Sequence, residues 1–125
     1  MTKREFLALG GAVVLLGLSG LGPALAHHGW RWTEDGNFEL TGLIKTVKLG
    51  NPHGVLTIDA EGEIWTVEVG QPWRNERAGL KDDMLAVGRE VMISGARAAD
   101  PAEKKMKAER VIIDGELYNL YPDRK

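Results

Sequence analysis

Cysteine is absent from the 125 residues, which removes disulfides, thiolate zinc sites, thiol nucleophiles and iron–sulfur clusters together. Histidine is scarce: His27, His28 and His53 are all there is, so any imidazole chemistry must use those three. No charge sign dominates, because 16 Lys and Arg stand against 18 Asp and Glu, a net of −2 at pH 7. A generally basic surface that coats nucleic acid is therefore excluded. Glycine-rich phosphate loops, a Gly-x-Ser-x-Gly elbow and a His-Glu-x-x-His helix are all missing. The length leaves room for one small domain. No catalytic motif is recognisable, so an enzyme is not expected; three histidines with a water, as in catalytic zinc sites, is the one arrangement left open.

Long apolar runs are also lacking, with one exception at the start. Thr2-Lys3-Arg4-Glu5 precedes 17 uncharged residues from Phe6 to Gly22, then Pro23 and the small-residue sequence Ala24-Leu25-Ala26. A basic start, an apolar middle and small residues at −3 and −1 predict a signal peptide over 1–26, cut after Ala26. The competing reading is an uncleaved anchor, but the run carries five glycines and falls short of the ~20 apolar residues a spanning helix needs. Lys3-Arg4 resembles a twin-arginine signal with lysine in the first place, and the general secretory route is expected ahead of it. Either route predicts a periplasmic or secreted protein, with membrane contact only through an uncleaved leader.

Residues 27–125 read as one mainly β domain, a small OB-fold-like barrel of five or six strands with one short helix between strands 3 and 4. Residues 38–42 alternate apolar and polar. The phase changes afterwards, since Leu43, Val47 and Leu49 are odd, which predicts a bend at Gly42. Further strands are expected at 55–59, 64–69, 90–94, 105–113 and 116–121, with hairpin turns at 60–63 and at Asp114-Gly115. Pro72 opens the helix, Gly79 ends it, and a second turn follows at 82–85. Three strands, a helix and two or three more strands is the OB order, with a long bent first strand.

Several stretches resemble one family: Ala26-His27-His28-Gly29-Trp30, Leu40-Thr41-Gly42, Asn51-Pro52-His53, Leu85-x-x-Gly88-x-x-Val91 and Lys107-Ala108-Glu109-Arg110-Val111. In this order they resemble small exported bacterial proteins catalogued as a domain of unknown function, over nearly all of residues 24–115. Gly50 stands where that family often has threonine. The resemblance implies export and leaves activity unassigned.

The histidines carry the chemical expectation. A chain beginning at His27 offers its amine and imidazole to one metal, and a second imidazole would complete a histidine brace, a nitrogen set that suits copper(II). His27, His28 and His53 are the candidate ligands, and a copper carrier or buffer is the expected function. A cut before Ala26 would instead make His28 the third residue of an amino-terminal copper site. In an extended segment His28, Trp30 and Trp32 would share one face. The bland alternatives are a solvated terminus and a turn histidine bonded to nearby backbone. Among the methionines, Met84, Met92 and Met106 are possible thioether donors, with Met92 and Met106 expected in the core.

A second function is a metal-free OB module that binds a small ligand or an envelope protein partner. Trp73 with Arg74 and Arg77 would form its surface, unless Trp73 closes the barrel end under the helix. Trp65 is expected in the core. Lys104, Lys105 and Lys107 read as a solvated hairpin edge that discourages strand pairing; nucleic acid is not an expected partner. Nothing in the pattern sets an oligomeric state.

Overall fold

The computed structural model describes residues 28–124, so the proposed leader 1–26 and His27 lie outside the described residues. The chain divides into two units, 1–31 and 32–125. The described part of the first is a 3-10 turn, His28–Trp30, so the extended parity expected there gives way to a turn.

The second unit is built from six strands and one helix. They are β1 (Phe38–Lys48), β2 (Val55–Ala60), β3 (Glu63–Glu68), α1 (Pro72–Arg77), β4 (Glu90–Arg97), β5 (Lys105–Ile113) and β6 (Glu116–Asn119), with a 3-10 turn at Asp82–Met84 before β4. The sheet order is β3-β2-β1-β4-β5-β6, and β3 also pairs with β5. That pairing is parallel, Thr66 with Lys105 through Glu68 with Lys107, and it closes five strands into a barrel. β6 is an extra strand on the far half of β5. The architecture is the mainly β, OB-like one that the strand order predicts.

Local chemistry explains the joints. Glu61 and Gly62 both take positive φ between β2 and β3, as do Asp114 and Gly115 between β5 and β6, which gives two-residue turns whose twist matches the strands. Asp59 helps the first by accepting the Gly62 amide at 2.9 Å. Pro72 sits in the first turn of α1, where its missing N–H is no loss. The Asn75 side chain accepts the Gly70 amide at 3.0 Å and donates to the Gly70 carbonyl at 3.1 Å, pinning α1 to the end of β3.

Inside lie Leu40, Ile44, Leu56, Ile58, Trp65, Val67, Val69, Val91, Ile93, Met106 and Val111, with Leu80 and Leu85 from the segment after α1. Two details depart from the sequence reading. The even-numbered face of β1 stays inward through Ile44, and the irregularity falls between Ile44 and Thr46. Gly42 is no pivot: a Cβ there would run into the Asp59 carbonyl oxygen of β2, so the glycine permits close strand approach. Met92 points outward between Val91 and Ile93 and is only half-buried, while Met106 is fully buried as expected. Among the described residues no helix is long and apolar enough to cross a membrane.

Candidate functional site

The parallel seam between β3 and β5 places Glu68 beside Lys107 on the outer face of the barrel, and both are buried. Three cationic or ionisable groups converge on the Glu68 carboxylate. Lys107 Nζ lies 3.6 Å from Oε1, Lys105 Nζ 3.6 Å from Oε2, and His53 Nε2 3.4 Å from Oε2. The basic run is therefore no solvated edge. Lys105 and Lys107 lie in the strand that closes the barrel, and their counter-charge comes from β3. Lys104 alone stays outside, 3.6 Å from Glu63.

α1 and the C-terminal residues complete the cluster. The Arg74 guanidinium lies between two rings, 4.5 Å from the Trp73 centroid and 4.1 Å from that of Tyr121. It also donates to the Leu120 carbonyl at 3.1 Å. Arg124 Nε donates to the buried Glu109 at 3.1 Å, and Arg110 reaches the same carboxylate at 3.3 Å. Trp73 does not close the barrel end: it is 50% exposed, and the buried positions at that end are Asn75 and Leu80.

Burial lowers the Lys107 amine below its ordinary 10.5, opposed by the Glu68 charge and hydrogen bond and assisted by Arg74 and Arg124. Burial raises the Tyr121 hydroxyl above 10.0; Arg74 opposes this, Glu68 adds to it and Arg124 opposes it. A lysine whose folded pKa is depressed destabilises the fold while charged, so stability rises with pH up to 10.5. A tyrosine whose folded pKa is raised keeps its proton longer when folded, so its contribution fades as pH climbs above 10.0. Urea unfolding across this range should show the rise lost in Lys107→Met and the fall lost in Tyr121→Phe. A slope identical in wild type and both variants would contradict the burial argument.

Beside the cluster, Arg74, Arg77, Ala78, Asn119, Leu120 and Asp123 line a cavity of about 250 Å³. Two of these residues carry a buried polar atom without a hydrogen-bond partner, Arg74 Nε and Asn119 Oδ1; Arg97 Nε, from β4, is a third such atom.

α1 carries Trp73, Arg74 and Arg77: Arg74 lies over the Trp73 ring and lines the cavity together with Arg77. The proposed metal ligands fare differently. His27 lies outside the described residues, His28 belongs to the first unit, and His53 stands on the barrel against Glu68. Among the described residues no three His, Asp or Glu side chains gather as a metal-ion set. Sequence reasoning missed Glu68, Tyr121 and Asn119. Glu68 gives only a weak signal in the sequence, as a carboxylate between Val67 and Val69 at the end of an alternating strand. Trp32 is half-buried, with Lys105 Nζ 4.2 Å from its ring centroid.

The family model described as "Family of unknown function (DUF6152)" matches residues 15–106. No curated protein matches the chain. Among solved structures the chain is similar to the ZRD-deleted mutant of TiaS in complex with agmatine, with 16% identity and a TM-score of 0.52, over 71% of this chain and 27% of that one. It is similar also to the S. pombe Stn1-Ten1 complex, with 16% identity and a TM-score of 0.52, over 66% of this chain and 60% of that one. The chain therefore spans about a quarter and three fifths of those chains. At such identity the likeness concerns the fold alone.

Proposed function

We propose, for a chain that belongs to the DUF6152 family of unknown function, the role of an OB-type module that binds a small anionic ligand at Trp73, Arg74 and Arg77. Export, with a leader cut near Ala26 and delivery to the periplasm or beyond, is part of the same proposal. The observation that carries it is Arg74: its guanidinium is stacked between Trp73 and Tyr121, beside a cavity it shares with Arg77. A guanidinium held in place by two rings and a backbone carbonyl loses little freedom when it meets an anion. The half-exposed indole offers an apolar surface beside Arg74. Lys107 and Arg124 also lie near Arg74, with Glu68 and Glu109 as their counter-charges.

The processed protein, titrated with small carboxylates, phosphates and sulfates, should show saturable NMR shifts at the Trp73 indole N–H. Arg77→Glu, at an exposed position, should abolish them while leaving the rest of the spectrum in place. Silence across the whole panel would sink the small-ligand reading. Adducts from a photo-crosslinker at position 73 to one envelope protein would then favour the partner reading instead.

A second reading, copper carriage or buffering by His27, His28 and His53, is favoured by the Glu68 contact to His53. A carboxylate on one imidazole nitrogen orients the ring and presents the other to a metal. It ranks second because the same carboxylate carries Lys105 and Lys107, two cations beside any bound ion. Copper(II) titration against a competing chelator, on protein whose terminus is fixed by intact mass, decides it. A tight one-to-one site lost in His53→Ala supports carriage; affinity no better than a generic histidine peptide retires it.

A further inference from the structure

We infer that two copies of this chain pair through the free edge of β6, antiparallel, with the two-fold axis at Leu117. β6 ends the sheet and is joined to β5 in a continuous register. The Leu120 amide extends that register by donating to the Glu109 carbonyl at 2.8 Å. Backbone groups alternate in direction along a strand, so Glu116, Tyr118 and Leu120 turn theirs toward β5. Leu117 and Asn119 turn theirs away, and among the described residues no backbone bond from outside the sheet reaches them. An open row of this kind is a template for another strand, and sheet edges are commonly guarded by lysine, proline or a bulge. Glu116-Leu117-Tyr118-Asn119 has none of these guards.

The side chains select a second copy as the occupant and fix the register. Thr41, Met92, Ile112 and Leu117 are successive partners across β1, β4, β5 and β6. Met92 and Ile112 are half-buried, and Leu117, at the end of the row, is 56% exposed. With the axis at Leu117 the two leucines face each other, and the apolar row runs on from one sheet into the next. Glu116 then opposes Tyr118 of the second copy, so no like charges meet along the strand. Gly115 opposes Asn119, which shares a cavity wall with Arg77 and Ala78; a residue without a side chain fits beside the end of α1. The same register carries Asp114 of each copy toward Arg77 of the other. Asp114 is 89% exposed and paired only with Arg89, at 3.5 Å, a surface contact that costs little to exchange. By symmetry each of these contacts occurs twice.

Because the chain has no cysteine, the register can be tested directly. Sedimentation of the full processed protein from about 1 µM to about 1 mM, the span of weak association, should show the mass rising from one chain toward two. Leu117→Lys, at an exposed position, should stay a single chain throughout while keeping the urea midpoint of wild type. Arg77→Asp should weaken the dimer about ten-fold or more, by setting it against Asp114 of the other copy. Hydrogen-bonded antiparallel partners have Cα atoms about 5.5 Å apart, within disulfide reach. Leu117→Cys should therefore link to itself under mild oxidation about ten-fold or more faster than Glu116→Cys, whose thiol faces Tyr118. Equal rates for the two thiols, or a mass of one chain at every concentration, would overturn the pairing. Either result leaves the anion reading standing, since its Trp73 indole signal is measured on the single chain.

Discussion

Glu68→Gln is expected to cost about 3–5 kcal/mol of folding stability, because it leaves Lys107 charged, buried and without its carboxylate. The loss should exceed that of any exposed pair in the molecule. Lys104→Ala, which removes a solvent-exposed partner of Glu63, should change stability by less than about 1 kcal/mol. The diagnostic variant is the double replacement Glu68→Gln with Lys107→Met. Removing both charges together should restore much of the stability, since a buried pair contributes little net free energy against an apolar substitute. Urea denaturation of the four proteins, wild type, two singles and the double, gives the coupling directly. Additive losses would mean that Glu68 and Lys107 do not sense each other and that the seam relies on its backbone bonds.

Gly95→Ala should produce a loss of about 3 kcal/mol, at the upper end of overpacking effects. A Cβ at Gly95 would meet the Lys107 carbonyl oxygen and lie 2.9 Å from the Glu109 amide nitrogen. Both are backbone atoms of β5, which cannot swing aside as a side chain can. The strand is held on its other edge by β3 and β6, and the β4–β5 register already shifts between Ser94 and Gly95. Ser94→Ala, one position earlier and half-buried, is the control and should stay within about 1 kcal/mol of wild type. Equal midpoints for the two variants would show that β5 retreats at little cost.

The strands were legible where a local rule was sufficient. β5 ends at a turn announced by Asp114-Gly115, and the β2–β3 hairpin follows from alternation around Gly62. α1 was readable from Pro72 and Gly79. The β1 bend was not, because a glycine in a strand signals either a pivot or a close approach, and only the position of Asp59 in space decides between them. Lys107 misled for a related reason. Locally it is a charged residue in a basic run, which reads as solvent-facing; its counter-ion Glu68 lies far off in sequence and becomes a neighbour only through the parallel pairing. The candidate site was half legible. Trp73, Arg74 and Arg77 stand together on one helix, whereas Asn119, Tyr121 and Asp123 reach them only through the return of the chain after β6.

β5 is a keystone, and this sets the order in which the molecule can be completed. It fills the gap between the free edges of β3 and β4, and Thr66 meets Lys105 only about 39 residues later, a loop whose closure carries an entropic cost. During vectorial synthesis the first four strands therefore emerge with two unsatisfied edges, and nothing in the growing chain covers them until residues 105–113 arrive. In that interval the edges are open to a β5 from a neighbouring chain, which would seat it by the same register and yield an intertwined dimer. A stalled or truncated product ending before Lys105 would have no way to seal itself and should be a prompt substrate for proteolysis.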